Sequence, residues 1–112
     1  MAVRLEKPWR ALSAEGVEEL RGHLGVYQLG NDAGEIVYIG VAGGRSLFGL
    51  KGELLKALED PPAGATQFRV EVNMAYRTRH FELLQAYWND HDALPAANTD
   101  VDTRSLGRLR PG

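Results

Sequence analysis

Cysteine is absent from this 112-residue chain, which removes disulfides, thiolate metal sites and cysteine nucleophiles together. That absence fits a cytoplasmic protein, and the opening run Met1 to Pro8 holds no apolar core of signal-peptide length. No stretch approaches the roughly 18 apolar residues of a membrane helix, so no membrane partner is expected. An excess of positive charge is lacking too: 13 Lys and Arg stand against 15 Asp and Glu, a formal net charge of −2. Nucleic-acid binders usually carry a basic face, because phosphate neutralisation supplies most non-specific affinity. Any such attraction here must come from local clusters, of which there are two: Arg77, Arg79 and His80, and then Arg104, Arg108 and Arg110. The chain has no P-loop, no Ser-His-Asp set, no dinucleotide fingerprint and no internal repeat. His80 and His91 stand eleven residues apart without a second ligand pair at metal spacing. They read as packed or surface residues.

What is present is enough apolar content, 44%, for one modest core and one domain. Residues 1–24 read as an irregular arm, with Trp9 and Leu12 laid on the domain, followed by a short helix. Ser13 caps that helix, and Val17 and Leu20 face inward. Val26 to Leu29 and Glu35 to Ile39 are apolar-rich runs separated by Asn31-Asp32-Ala33-Gly34, a cluster of turn formers, and so predict a β-hairpin. Leu47, Leu50, Leu54 and Leu58 make one apolar stripe on a helix from Ser46 to about Asp60. Strict alternation of Phe68, Val70, Val72 and Met74 predicts a half-buried third strand over 67–74. A second long helix is expected from about Thr78 to His91, with Phe81, Leu84 and Trp88 as its buried ridge. Leu94-Pro95 ends it, and 99–112 read as a flexible tail. The expected class is α+β: a three-stranded antiparallel sheet flanked by helices, in the order α-β-β-α-β-α.

Gly25-Val26-Tyr27 and Tyr38-Ile39-Gly40, separated by ten residues, end the two apolar runs of the hairpin. This pairing resembles the signature of the GIY-YIG nuclease superfamily, and the resemblance covers roughly residues 24–98. It implies the same hairpin-helix-strand-helix order and a metal-dependent endonuclease hydrolysing phosphodiester bonds, with DNA as the expected partner. It also implies a set of roles. Tyr27 would act on or position the attacking water, and Tyr38 would hold the scissile phosphate. A free tyrosine titrates near 10, so a base role needs help from a metal or cation.

The family's arginine follows the second tyrosine by about ten positions, where this chain has Phe48. Arg45 and Lys51 flank that place. Arg45 has the planar fork that grips phosphate, and Lys51, one turn after Leu47, would lean toward the sheet in the arginine's stead. The family's metal carboxylate maps to Glu82 on the last helix, with Gln85 one turn on as the other possibility. A single carboxylate completed by waters suits Mg²⁺ or Mn²⁺. Pro95-Ala96-Ala97-Asn98 matches the family's Pro-x-x-Asn ending, with Asn98 bracing the site, while Arg77, Arg79 and His80 are candidate nucleic-acid contacts. A targeting protein is a further expected partner, since no targeting domain accompanies the catalytic one. Two other functions stay open: a degenerate member that binds nucleic acid or protein without cutting, and an α+β interaction module in which the hairpin match is accidental.

Overall fold

Asn31 folds the chain back between two neighbouring strands. Its side-chain oxygen accepts from the backbone N–H groups of Ala33 and Glu35, both at 3.0 Å. Gly34 follows at φ +81°, a conformation that costs a glycine nothing. The arms are β2 (Gly25–Gly30) and β3 (Ile36–Ala42), antiparallel, with Tyr27 opposite Gly40 and Leu29 opposite Tyr38. The register slips between Leu29 and Gly30, leaving Val37 as a bulge residue without an opposite number. A computed structural model describes residues 4–99. The reading of 99–112 as a tail falls, Thr99 apart, outside the described residues.

The remaining elements are β1 (Arg10–Ala11), α1 (Ala14–Glu18), α2 (Gly49–Glu59), a 3₁₀ turn at Pro62–Gly64, β4 (Gln67–Val72) and α3 (Tyr76–His91). The α+β class holds, but the sheet has four strands, ordered β1-β4-β2-β3 and antiparallel throughout. The extra strand comes from the arm read as irregular. Two residues are too few to carry a period, and they are strand only because Arg10 and Ala11 pair with Phe68 and Gln67. Trp9 then lies across Gly30, where any Cβ would meet its ring at 2.7–3.1 Å, and Arg69 stacks on Trp9 at 4.1 Å from the ring centroid.

Alternate residues of β2 feed two cores. Tyr27 and Leu29 join Val17, Leu50, Leu54 and Phe68 on the α1/α2 side. Val26 joins Ile39, Leu83 and Leu84, with Leu5, on the α3 side. The expected leucine stripe loses its first member. Phe48 and Gly49 both adopt left-handed backbone, at φ +65° and +57°, so α2 starts at Gly49 and Leu47 is exposed. The first helical N–H groups are met from outside: Leu50 donates to the carbonyl of His23 at 2.8 Å and Lys51 to that of Arg21 at 3.3 Å. A Cβ on Gly49 would run into the carbonyls of Gly22 and His23, which fixes glycine there. The alternation of 67–74 outlasts both strand and cover: β4 ends at Val72, and Phe68 is fully buried whereas Val72 and, beyond the strand, Met74 are exposed.

β3 is an edge strand, and residues 95–98 cover it. Ala97 donates to the Val37 carbonyl at 2.9 Å. The Asn98 amide accepts from the Ile39 N–H and donates to the Ile39 carbonyl, both at 2.9 Å. One side chain thus does the work of a pairing strand, which protects the edge. Among the described residues no helix is long and apolar enough to cross a membrane.

Candidate functional site

Tyr27 and Tyr38 come together because β2 and β3 carry them on the α2 side of the sheet, two residue pairs apart in register. Their ring centroids are 5.9 Å apart and tilted by 43°. The Tyr27 ring lies over Gly40, where a Cβ would overlap the ring's Cζ and hydroxyl. Glycine at that point of the Tyr-Ile-Gly triplet is therefore a space requirement. Tyr27 is buried, and its hydroxyl donates to Glu53 Oε1 at 3.4 Å. Burial first, then the neighbouring Tyr38 and the Glu53 charge, push the Tyr27 phenol far above its ordinary 10. It acts at neutral pH as an uncharged hydroxyl, not as a phenolate.

The phenols open onto a hollow of about 390 Å³ that Glu53, Lys56 and Asp60 also line. Glu53 and Lys56 form its shared wall with a second cleft of about 450 Å³. Arg45, Arg77 and His80 line that second cleft, with Tyr76 and Phe81 among its apolar surfaces. The loop carrying Arg45 is seated by its glycines: Gly43 N–H donates to Ser46 Oγ at 3.0 Å, and Gly44 N–H to the Tyr76 hydroxyl at 3.1 Å. A Cβ on Gly43 would stand 2.8 Å from the Tyr76 ring.

Three cations, Arg45, Lys56 and Arg77, thus face one carboxylate, Glu53, which itself lies 3.8 Å from Lys56 Nζ. Arg45 and Arg77 have no ion-pair partner among the described residues. His80 lies against the Ile39 carbonyl, its Nε2 at 3.2 Å, and burial holds its pKa below the usual 6.5. It is neutral at pH 7, with Nε2–H the tautomer that satisfies the carbonyl. The cleft is therefore net positive, a setting for anions.

The sequence's candidates divide accordingly. Tyr27 and Tyr38 meet in the hollow, Arg45, Arg77 and His80 meet in the adjoining cleft, and Asn98 braces Ile39 from the outer side of edge strand β3. Lys51 does not lean on the sheet. It sits about 200° around α2 from Glu53 and reaches α1, 3.3 Å from the Glu18 carbonyl and 3.6 Å from its carboxylate. Arg79 is tied to Glu71 at 2.8 and 3.1 Å and to Glu82 at 3.3 Å. Glu82 and Gln85 line a different hollow, of about 180 Å³, because α3 turns them away from the face that carries His80 and Leu84.

Glu53, Lys56 and Tyr76 escaped sequence reading. The signal for Glu53 is its place three residues after Leu50, on the edge of the α2 stripe that faces Tyr27; Lys51 marks the other edge. Glu82, the carboxylate expected to hold a divalent ion, lines a hollow other than that of the phenols. The carboxylate at the phenols is lysine-paired, Glu82 is arginine-paired elsewhere, and the described residues hold no group of three or more His, Asp or Glu that could take a metal.

A family model described as "Domain of unknown function (DUF7508)" matches residues 3–90. The chain belongs to that family. The DUF7508 match spans both tyrosines, Arg45, Glu53, Lys56, Tyr76, Arg77 and His80, and stops short of Pro95–Asn98. No significant match to a curated protein or to a solved structure is found.

Proposed function

We propose that this DUF7508 protein is a nucleic-acid-binding protein of GIY-YIG type that grips phosphate in the cleft between Arg45, Lys56 and Arg77. The observation that carries the reading is the pair of arginines without carboxylate partners among the described residues, set on the rim of a cleft in which Glu53, the one acid those residues place there, is already lysine-paired. A chain with net charge −2 has little general attraction for phosphate, so unneutralised local cations supply it. Arg45 and Arg77 offer forked donors that match phosphate oxygens. The phenols extend the site: Tyr38 and the uncharged Tyr27, whose hydroxyl donates to Glu53, line the adjoining hollow with Lys56. In this reading the site binds without cutting, DNA is the first ligand to test, and a partner protein supplies targeting.

Metal-dependent endonuclease activity, which the hairpin triplets imply, is the second reading. The contact between Tyr27 and Glu53 favours it, because it sets a carboxylate on α2 beside the phenol pair, with Glu53 in place of Glu82. One experiment separates the two. Fluorescence anisotropy of labelled oligonucleotides is measured with the wild type and with Arg45→Ala/Arg77→Ala, and a plasmid-nicking assay follows in Mg²⁺ and in Mn²⁺. The binding reading expects affinity that the double substitution weakens at least tenfold, and no nicking. Nicking that disappears in Glu53→Gln and Tyr27→Phe would establish the second reading, and no binding in either assay would overturn both.

A further inference from the structure

Phosphate recognition does not account for the floor of the larger cleft. Its rim carries Arg45, Lys56 and Arg77, but beside Glu53 and His80 its lining is apolar, from Val41, Tyr76, Phe81 and Leu84. A duplex keeps its bases stacked and offers a protein surface phosphates and groove edges, for which an apolar recess has no use. The volume, about 450 Å³, falls within the range of about 300–1,000 Å³ typical of sites that enclose a small ligand. Two aromatic side chains under a cationic rim are the combination with which proteins hold unpaired nucleotides, the base against a ring and the backbone against the cations. The net charge of −2 points the same way, since it gives the chain little general attraction for the dense charge of a duplex.

We infer that the cleft takes an unpaired nucleotide of a nucleic-acid strand, its base over Tyr76 and Phe81 and its flanking phosphates on Arg45, Lys56 and Arg77. The inference rests on the nucleic-acid-binding reading above and narrows it to single strands. Tyr76 has a second duty here. Its hydroxyl holds the Gly44 N–H, so the ring that receives the base also fixes the loop bearing Arg45.

The test compares a single-stranded DNA oligonucleotide with the same sequence as duplex, against the wild type, Tyr76→Leu and Arg45→Ala/Arg77→Ala. Leucine keeps an apolar side chain on the helix, and Phe81→Leu replaces it should that variant unfold. The wild type is expected to bind the single strand about tenfold tighter than duplex, in line with the worth of one base–aromatic stack, and Tyr76→Leu to erase that preference. A 2-aminopurine in the strand reports the stack itself: its fluorescence is quenched by the wild type and not by Tyr76→Leu, a signal that mere loosening of the Arg45 loop would not abolish. Equal or tighter duplex binding, with Tyr76→Leu unchanged, overturns this inference and leaves the cationic cleft standing. Absence of binding to either form, or binding indifferent to Arg45→Ala/Arg77→Ala, overturns the nucleic-acid reading and this inference with it.

Discussion

Gly40 and His80 show how single residues set the site. At Gly40 the limit is space, because the Tyr27 ring occupies the volume of a Cβ. Gly40→Ala forces the ring or the strand to shift, and overpacking of this kind costs about 2 kcal/mol or more. Urea denaturation should show that loss, and near-ultraviolet dichroism should show the displaced tyrosine. At His80 the limit is charge. Burial holds its pKa below 6.5, so the unfolded chain binds the proton first as pH falls. His80 therefore contributes stability that is complete above about pH 6.5 and is lost as pH drops through the lowered value. Glu71 acts in a lower range: its burial is outweighed by the hydrogen bonds from Arg79 and Asn73, which hold it below its usual 4.5. The urea midpoint of the wild type should fall between pH 7 and pH 5, and His80→Gln should flatten that profile.

Among the elements, β3 depends most on a contact distant in sequence. Asn98 meets both polar groups of Ile39, and its removal leaves the buried Ile39 N–H unpaired at about 1–3 kcal/mol, while the carbonyl keeps His80 Nε2 at 3.2 Å. Asn98→Ala should cost about 1–3 kcal/mol and speed amide exchange at Ile39 above that of the central strand β2. The hairpin, α2 and α3 were legible in the sequence because their signals are local: Asn31 and Gly34 in the turn, Leu50 and Leu54 one helical turn apart, a sixteen-residue helix with apolar positions at its period. β1 was not, since pairing with β4 alone makes Arg10 and Ala11 a strand. The late start of α2 was also hidden, because it follows from carbonyls of Arg21 and His23 that fold back onto the helix end. The tyrosine pair was legible as a juxtaposition, while Glu53 was not, since the choice between the two edges of the α2 stripe depends on how the helix is rolled on the sheet. The same roll of α3 separates Glu82 from His80, only two residues apart.

For the whole molecule, the central claim is that a protein of net charge −2 concentrates enough positive charge at one cleft to bind a phosphate backbone. Such binding releases counterions, so the logarithm of the association constant falls linearly with the logarithm of salt concentration. The slope counts phosphates engaged, and on a single strand each lost phosphate contact should lower its magnitude by about 0.7. The most direct measurement is that slope, taken by anisotropy with single-stranded DNA for the wild type and for Arg45→Ala/Arg77→Ala. The account predicts a wild-type slope of about −2, for about three contacts at roughly −0.7 each on a single strand, and a slope of smaller magnitude, with weaker binding, in the double variant. Equal slopes and affinities for the two proteins would contradict it.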